Sequence, residues 1–322
     1  MSSPTVSVII PAYNAADCID AALASALDQT WRDLEVVVVD DASTDATTAI
    51  VGAWSERDAR VRLVRAESNG GPARARNLGI DRSAGPWIAL LDADDRFERA
   101  RIERLLALAE RTGADLIADN LRFVETTIGR ALGTALPENG ADEPEVVSAE
   151  AFVRRNMFGR EGFDYGYLKP LIRRRALDRA GIRYLEDVRI GEDYHLYLEC
   201  LIAGARMVVT REPGYDYVLA PGSISRRLSA EAVGKLEERN RHLLERGVAL
   251  PRGLRAALQE RAQVLRRMAG HVRFVDLIKS GRWVDAIALL ARRPDVLPLV
   301  VKYGRESVLK RLGLLGFHGR RA

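Results

Sequence analysis

Trp87 to Asp95 reads WIALLDADD, a short apolar run that ends in three carboxylates, Asp92, Asp94 and Asp95. A buried strand that delivers clustered acids at its C-terminal end gathers charges that repel one another, so it calls for a cation or another compensating positive charge. The plain alternative is an acidic turn that caps the helix beginning near Arg99. A second acidic pair, Glu192-Asp193, stands about a hundred residues further on, where Gly191 ends a loop and an amphipathic pattern starts through Leu196, Leu198 and Leu201. The helix macrodipole alone would favour both acids at that place.

The elements that must position these acids follow from the pattern of the first half. Val6 to Ile10, Leu34 to Val39, Val61 to Val64 and Trp87 to Leu91 are short, nearly continuous apolar runs, as expected of a parallel sheet covered on both faces. Helical segments lie between them: Ala16 to Gln29, Thr44 to Ser55, and Pro72 to Ser83 with a proline in its first turn. Strands alternating with helices predict a right-handed α/β unit of about 120 residues, with the ligand beyond the C-terminal strand ends.

Those ends carry Pro11-Ala12-Tyr13-Asn14, Asp40-Asp41-Ala42-Ser43, Ser68-Asn69-Gly70-Gly71 and Asp92-Ala93-Asp94. A carboxylate after the second strand can accept from a base N–H or a ribose hydroxyl, and a glycine-rich turn lets backbone approach a ligand closely. A nucleotide fits this set. The dinucleotide-binding G-x-G-x-x-G is missing, because the first strand is followed by PAYNAA, and Gly70-Gly71 does not make a Walker A loop. Hydride transfer and P-loop phosphoryl transfer both lose ground. What remains is a nucleotide whose phosphates are neutralised by a divalent metal at Asp94.

The segments VSVIIPAYN, VVVVDDASTD, NGGPARARNLGI, LLDADD and GEDYHLYL, in this order and spacing, resemble the family-2 glycosyltransferases. The resemblance covers about residues 4–227. It implies an α/β fold of the GT-A type, a Rossmann-like mixed sheet flanked by helices. By the same resemblance Pro11, Tyr13 and Asp41 line a base and ribose pocket with Asn69 and Arg76 nearby. Asp92 and Asp94 form a DxD pair, one at the ribose and the other on Mn2+ or Mg2+. Asp193 is then the base that deprotonates an acceptor hydroxyl during inverting transfer, and Glu192 helps to hold the acceptor. Ser223, Ser225 and Arg226, in YDYVLAPGSISRR, would contact the diphosphate. The implied partners are a nucleotide-sugar donor, with a uridine sugar expected, and a saccharide or lipid-linked saccharide acceptor in surface polysaccharide synthesis. A sugar-phosphate nucleotidyltransferase and a non-catalytic sugar-nucleotide-binding module are the competing readings.

Three further residues each have two readings. Asp95 either orients its neighbours or caps the following helix. Lys169 either faces the acceptor or is a surface lysine. His195 is either packed within its helix or a ligand, and a lone helical histidine favours packing.

At 322 residues the chain is long enough for a catalytic domain with an appendage. The expected division is a catalytic domain at 1–228, split into a nucleotide-sugar half at 1–125 and an acceptor half at 126–228, followed by a helical C-terminal region at 229–322. Thr126 to Val147, with Pro137, Asn139, Gly140 and Pro144, reads as an extended hairpin and loop between the two halves. Leu254, Leu258, Ala262, Leu265 and Ala269 recur at helical spacing, Trp283, Ile287 and Leu290 suggest another helix, and Val308, Leu309, Leu312 and Leu315 a third.

The net charge of +4 is unevenly spread. Residues 251–322 hold 16 Lys and Arg against 5 Asp and Glu, a net +11, which leaves −7 on residues 1–250. No zinc-finger or aromatic-rich pattern supports a nucleic-acid partner. The basic region is either a helical appendage with a solvated face or a peripheral attachment to an anionic inner membrane surface. No apolar run approaches the roughly 20 residues that span a bilayer, so a cytoplasmic location is expected. Cys18 and Cys200, without CxxC spacing, are expected to be two buried free thiols.

Overall fold

A computed structural model describes residues 4–125, 130–137, 143–160, 162–219, 229–247 and 249–311, with the backbone alone for 306–311. The chain divides into two compact units. One comprises the described residues of 1–149 and 164–221, and the other those of 150–163 and 222–322.

The first unit opens with strand β1 (Val6–Ala12), helix α1 (Ile19–Leu27), β2 (Leu34–Asp40), α2 (Thr47–Arg57), β3 (Val61–Arg65), α3 (Pro72–Arg82) and β4 (Trp87–Leu90). All seven residues of β2 and six of seven in β1 are buried, as a doubly covered parallel strand requires. Of β3 only Val61 is buried, as befits a strand at the sheet edge. The expected α1 begins later than its apolar pattern, because Ala15 to Cys18 close a turn in which Cys18 and Ile19 donate to the Ala15 carbonyl. Gly71, at φ 84°, precedes Pro72 and turns the chain into α3. Within α3, Gly79 faces Ile9: a Cβ there would stand 2.4 Å from the Ile9 Cγ2, so only glycine lets this helix lie so close to β1.

The chain continues through β5 (Arg96–Phe97), α4 (Arg101–Thr112), β6 (Leu116–Glu125), β7 (Ala131–Thr134), β8 (Glu145–Val147) and α5 (Ala149–Arg155). Beyond a short 3-10 turn at Tyr165–Tyr167 come β9 (Leu171–Arg173), α6 (Arg174–Asp178), α7 (Glu192–Ile202) and β10 (Met207–Leu219). The strands form one sheet in the order β3-β2-β1-β4-β9-β6-β10-β5, with β7 on β6 and β8 on β10. β3, β2, β1 and β4 are mutually parallel, β9 runs antiparallel between β4 and β6, and β6 and β10 are parallel. The sheet is therefore mixed, and the C-terminal ends of its parallel strands collect the acidic loops. The hairpin expected between residues 126 and 147 begins with the antiparallel pairing of β6 and β7, while β8 leaves it to pair with β10.

The second unit is helical: α8 (Ala230–Glu245), α9 (Arg252–Lys279), α10 (Trp283–Arg292) and α11 (Leu297–Arg311). Ser229 caps α8 by accepting from the Ala232 amide. α9 carries the buried stripe Leu254, Leu258, Ala262, Leu265 and Met268, with Met268 taking the place expected of Ala269. Sequence patterning draws the boundary at 228, yet residues 150–163 pack with these helices. Arg154 pairs with Glu260 at 2.8 Å, buried Arg261 donates to the Asn156 carbonyl, and Lys302 donates to the Gly159 carbonyl at 2.8 Å.

Candidate active site

The loops after β1, β2 and β3 are fastened to one another by hydrogen bonds. Asn14 donates its amide to Ser43 Oγ at 3.0 Å and accepts the Thr44 amide on Oδ1 at 2.8 Å. Ala15 and Ala16 donate to Thr47 Oγ1 and Asp45 Oδ2. Asn14 at φ 48° and Ala42 at φ 62° lie in the left-handed region, which costs a non-glycine residue about 1–2 kcal/mol and is tolerated where neighbours over-determine it. Asp41 accepts the Gly70 amide at 2.9 Å on Oδ1 and the Gly71 amide at 2.7 Å on Oδ2, while Asn69 Nδ2 donates to the Asp41 carbonyl. Pro11, in β1, is half-buried, and Tyr13 is 51 % exposed.

A second group of carboxylates is held by side-chain cations. Arg76, on α3 and 4 % exposed, places one nitrogen 2.7 Å from Asp92 Oδ1 and another 2.8 Å from Glu192 Oε1 and 3.9 Å from Asp193 Oδ1. Lys169 Nζ lies 3.0 Å from Asp92 Oδ2 and 2.8 Å from Asp193 Oδ2. Tyr184 donates its hydroxyl to Asp193 Oδ1 at 2.9 Å, and its ring lies under the Arg76 guanidinium at 5.4 Å. Asn77, one residue along α3, exchanges two hydrogen bonds with the Tyr184 backbone, at 3.0 and 2.8 Å, and so anchors that segment. Gly191, at φ 80°, turns the chain so that Glu192 and Asp193 begin α7 beside these cations.

The electrostatics follow from this pairing. Burial alone would raise Asp92, but Lys169 and Arg76 hold its carboxyl well below the usual carboxylate range. Burial and then the charge of Asp193 push Glu192 up, against the opposing pull of Arg76 and Lys169. Asp94 stands exposed beyond Asp92; desolvation from the surrounding chain and the neighbouring Asp92 charge raise its carboxyl. No described residue forms an ion pair with it. It is thus a hard oxygen donor beside a second acid, without a cation partner among the described residues. Among the described residues no three His, Cys, Asp or Glu side chains converge as a metal cage. The Asp94 carboxylate, a hard oxygen donor, is of the kind that takes a divalent ion such as Mn2+ or Mg2+ together with phosphate oxygens and water.

Asp95 does not cap the following helix. It lies buried before β5, accepts Tyr215 Oη at 2.7 Å and the Val218 amide at 2.8 Å, and so fastens β10. Tyr215 Oη in turn accepts the Asp92 amide at 3.1 Å, so Asp95 acts on the backbone of its neighbour through this ring. α4 starts only at Arg101. Burial, then Asp94 and Asp92, push Asp95 well above the usual range.

Lys169 is not a surface lysine; it is buried between two acids. Its backbone is fixed too, since its carbonyl accepts from Arg101, a fully buried guanidinium that is bidentate to Asp119 at 2.8 Å. His195 is buried and packs edge-on to Tyr194 at 5.2 Å. Of the cysteines only Cys200 is buried. Cys18 is half-buried, and burial followed by the charge of Asp94 pushes its thiol up to about 11. Ser223, Ser225 and Arg226 lie outside the described residues. Tyr184 and Arg101 escaped the sequence reading because no motif spacing marks them, and Tyr215, the first residue of YDYVLAPGSISRR, lies in β10.

A family model described as Glycosyl transferase family 2 matches residues 7–156. The succinoglycan biosynthesis protein ExoU of Rhizobium meliloti is 36% identical over 304 residues, covering 93% of this chain and 87% of that one. ExoO of the same organism is 41% identical over 230 residues, covering 71% of this chain; the match spans 65% of the length of ExoO. Among solved structures, S. aureus TarS 1-349 in complex with UDP-GlcNAc superimposes with a TM-score of 0.68 at 22% identity, over 88% of this chain and 79% of that one. The mannosyltransferase PcManGT from Pyrobaculum calidifontis, in complex with GDP-Man and Mn2+, gives 0.55 at 20% identity, over 98% and 84%. These two likenesses are of fold.

Proposed function

The chain belongs to glycosyl transferase family 2, with the GT-A fold, and from that premise we propose that it is an inverting, metal-dependent glycosyltransferase of surface polysaccharide synthesis. The donor is a nucleoside diphosphate sugar, with uridine the first base to test, and the acceptor a saccharide or lipid-linked saccharide hydroxyl. The observation that carries the reading is the pair of acids bridged by Lys169, Asp92 on the donor side and Asp193 on the acceptor side, both within 3.0 Å of one ammonium.

The latched loops around Tyr13, Asp41 and Asn69 hold the nucleoside. Asp92 meets the donor ribose, and Asp94 offers its carboxylate to the metal. When bound there, a divalent cation would supply Lewis-acid stabilisation for the charge that develops on the leaving diphosphate. Asp193 takes the proton of the acceptor hydroxyl while that oxygen attacks the anomeric carbon from the face opposite the diphosphate. The new carbon–oxygen bond forms, the bond to the phosphate oxygen breaks, and its electron pair leaves with the nucleoside diphosphate. A carboxylate accepts about four hydrogen bonds, so the contacts from Lys169 and Tyr184 leave Asp193 room for the incoming hydroxyl. Glu192, tied to Arg76, borders the acceptor side. Ser223, Ser225 and Arg226 are proposed to meet the diphosphate.

A thermal-shift screen of nucleoside diphosphate sugars, with and without Mn2+, tests the donor. A melting temperature that no donor raises, with or without metal, would sink the reading.

The helical region is proposed to touch an anionic bilayer, where a lipid-linked acceptor would be reached. On α10, Trp283, Val284 and Ile287 are 60, 81 and 69 % exposed, and residues 251–322 carry the net +11 that complements anionic headgroups. Among the described residues no helix is long and apolar enough to cross a membrane. Co-sedimentation with phosphatidylglycerol vesicles at low salt is the test; protein that stays in the supernatant removes the membrane from the reading.

A further inference from the structure

Lys169 is a cation almost cut off from water, 4 % exposed. It follows the 3-10 turn at Tyr165–Tyr167 and leads into β9, the antiparallel strand inserted beside β4. An ammonium buried alone would tend to lose its proton. Against that burial, the charges of Asp193 and Asp92 keep this one well above the ordinary lysine value. Its main chain is pinned by Arg101 and its Nζ by two carboxylates, so both ends of the residue are fixed.

We infer that Lys169 is a positioning residue for transfer: it ties Asp193 to Asp92, so that the base keeps one orientation and the acceptor and donor sides keep one spacing. The inference rests on the reading of Asp193 as the base. The groups facing Asp193 come from several elements: Lys169 ahead of β9, Tyr184 from the segment before α7, Arg76 from α3, and Glu192 and Tyr197 from α7 itself. Lys169 holds one carboxylate oxygen and Tyr184 the other. Turning the carboxylate away from the acceptor would break both charge-assisted bonds. A reacting group displaced by about 1 Å can lose on the order of 10²-fold in rate.

Lys169→Met should lower kcat by about a hundredfold. The dissociation constant for the nucleoside diphosphate should stay within about threefold, because Arg76 still holds the other Asp92 oxygen. A wild-type kcat would overturn the inference. So would a kcat loss matched by an equal loss of nucleotide affinity, which would assign Lys169 to the donor pocket.

Tyr184→Phe keeps the ring beneath Arg76 and removes only the hydroxyl donor, and it should lower kcat about tenfold with nucleotide affinity unchanged. Should Lys169→Met fail to fold, this variant decides, and an unchanged kcat would overturn the inference. Asp193→Asn in the same assay separates the two readings. Near-normal transfer by Asp193→Asn removes the base, and the positioning role with it. If Asp193→Asn is inactive while Lys169→Met and Tyr184→Phe are normal, only the positioning role falls.

Discussion

The two sides of the crevice hold their carboxylates by different means. After β2, Asp41 accepts backbone amides from Gly70 and Gly71, and Asp40 accepts from the Ser43 amide and the Thr48 hydroxyl. Between β4 and α7, Asp92, Glu192 and Asp193 are paired with Arg76 and Lys169. A carboxylate bonded to main-chain amides is part of the loop's shape and cannot leave without unmaking the turn. A carboxylate held by side-chain cations can exchange partners as substrate charge arrives. The first arrangement suits the recognition proposed for that side, and the second suits the proposed reaction, which redistributes charge.

The comparison breaks most directly at Asp193. Asp193→Asn should lower transfer by about 10³-fold or more while nucleotide binding stays within about threefold. Steady-state rates together with nucleotide titration check this, and a parallel loss of binding would mean that the acid serves recognition after all.

Asp92→Asn tests the cation-held side through stability. It removes one of the two close carboxylates paired with each of Lys169 and Arg76, which should cost on the order of 3 kcal/mol in urea unfolding at pH 7. Because the folded-state value of Asp92 is lowered from the ordinary 3.8, its contribution is fully present above that value and is lost as pH falls below it. The gap between wild type and variant should therefore hold from pH 7 to about pH 5 and narrow below 3.8. A gap that widens in acid would contradict the pairing.

Asp94→Ala should weaken metal-dependent donor binding on the order of a hundredfold, leaving nucleoside contacts in place. Calorimetry with and without Mn2+ reads this, and an unchanged metal dependence would exclude Asp94 as a ligand. The smallest effect belongs to the backbone-held side. Asp41→Ala strands the Gly70 and Gly71 amides, which water can partly serve, and should lower stability by about 1–2 kcal/mol with a matching loss of nucleotide affinity. Unaltered affinity would detach Asp41 from the donor.

Much of this was legible in the chain. The four leading strands were readable because buried parallel strands form nearly continuous apolar runs, as Val36 to Val39 do within β2. The α3 and α7 starts were marked by Pro72 and Gly191. The principal acids were visible as motifs at strand and helix ends. Lys169 was singled out with two readings and Tyr184 not at all, because the closeness of Lys169 to Asp92 and Asp193 depends on β9 entering the sheet between β4 and β6, and three residues of strand leave no periodic trace. The helices of the second unit were legible by spacing, but the side they bury was not. Trp283 and Ile287 share the helical spacing of a core face and are nevertheless exposed, while Ala286 is the buried residue of that helix.

Ala42 bears on how this molecule could be improved. It holds a backbone conformation that suits glycine better, in the loop after β2, and its Cβ adds strain that the hydrogen bonds of neighbouring residues must outweigh. Ala42→Gly would relieve that strain at the cost of a more flexible unfolded chain, and the balance of the two decides its effect on stability. A chain under selection for heat resistance has a route open through this one methyl group, without altering any of the acids proposed to serve transfer.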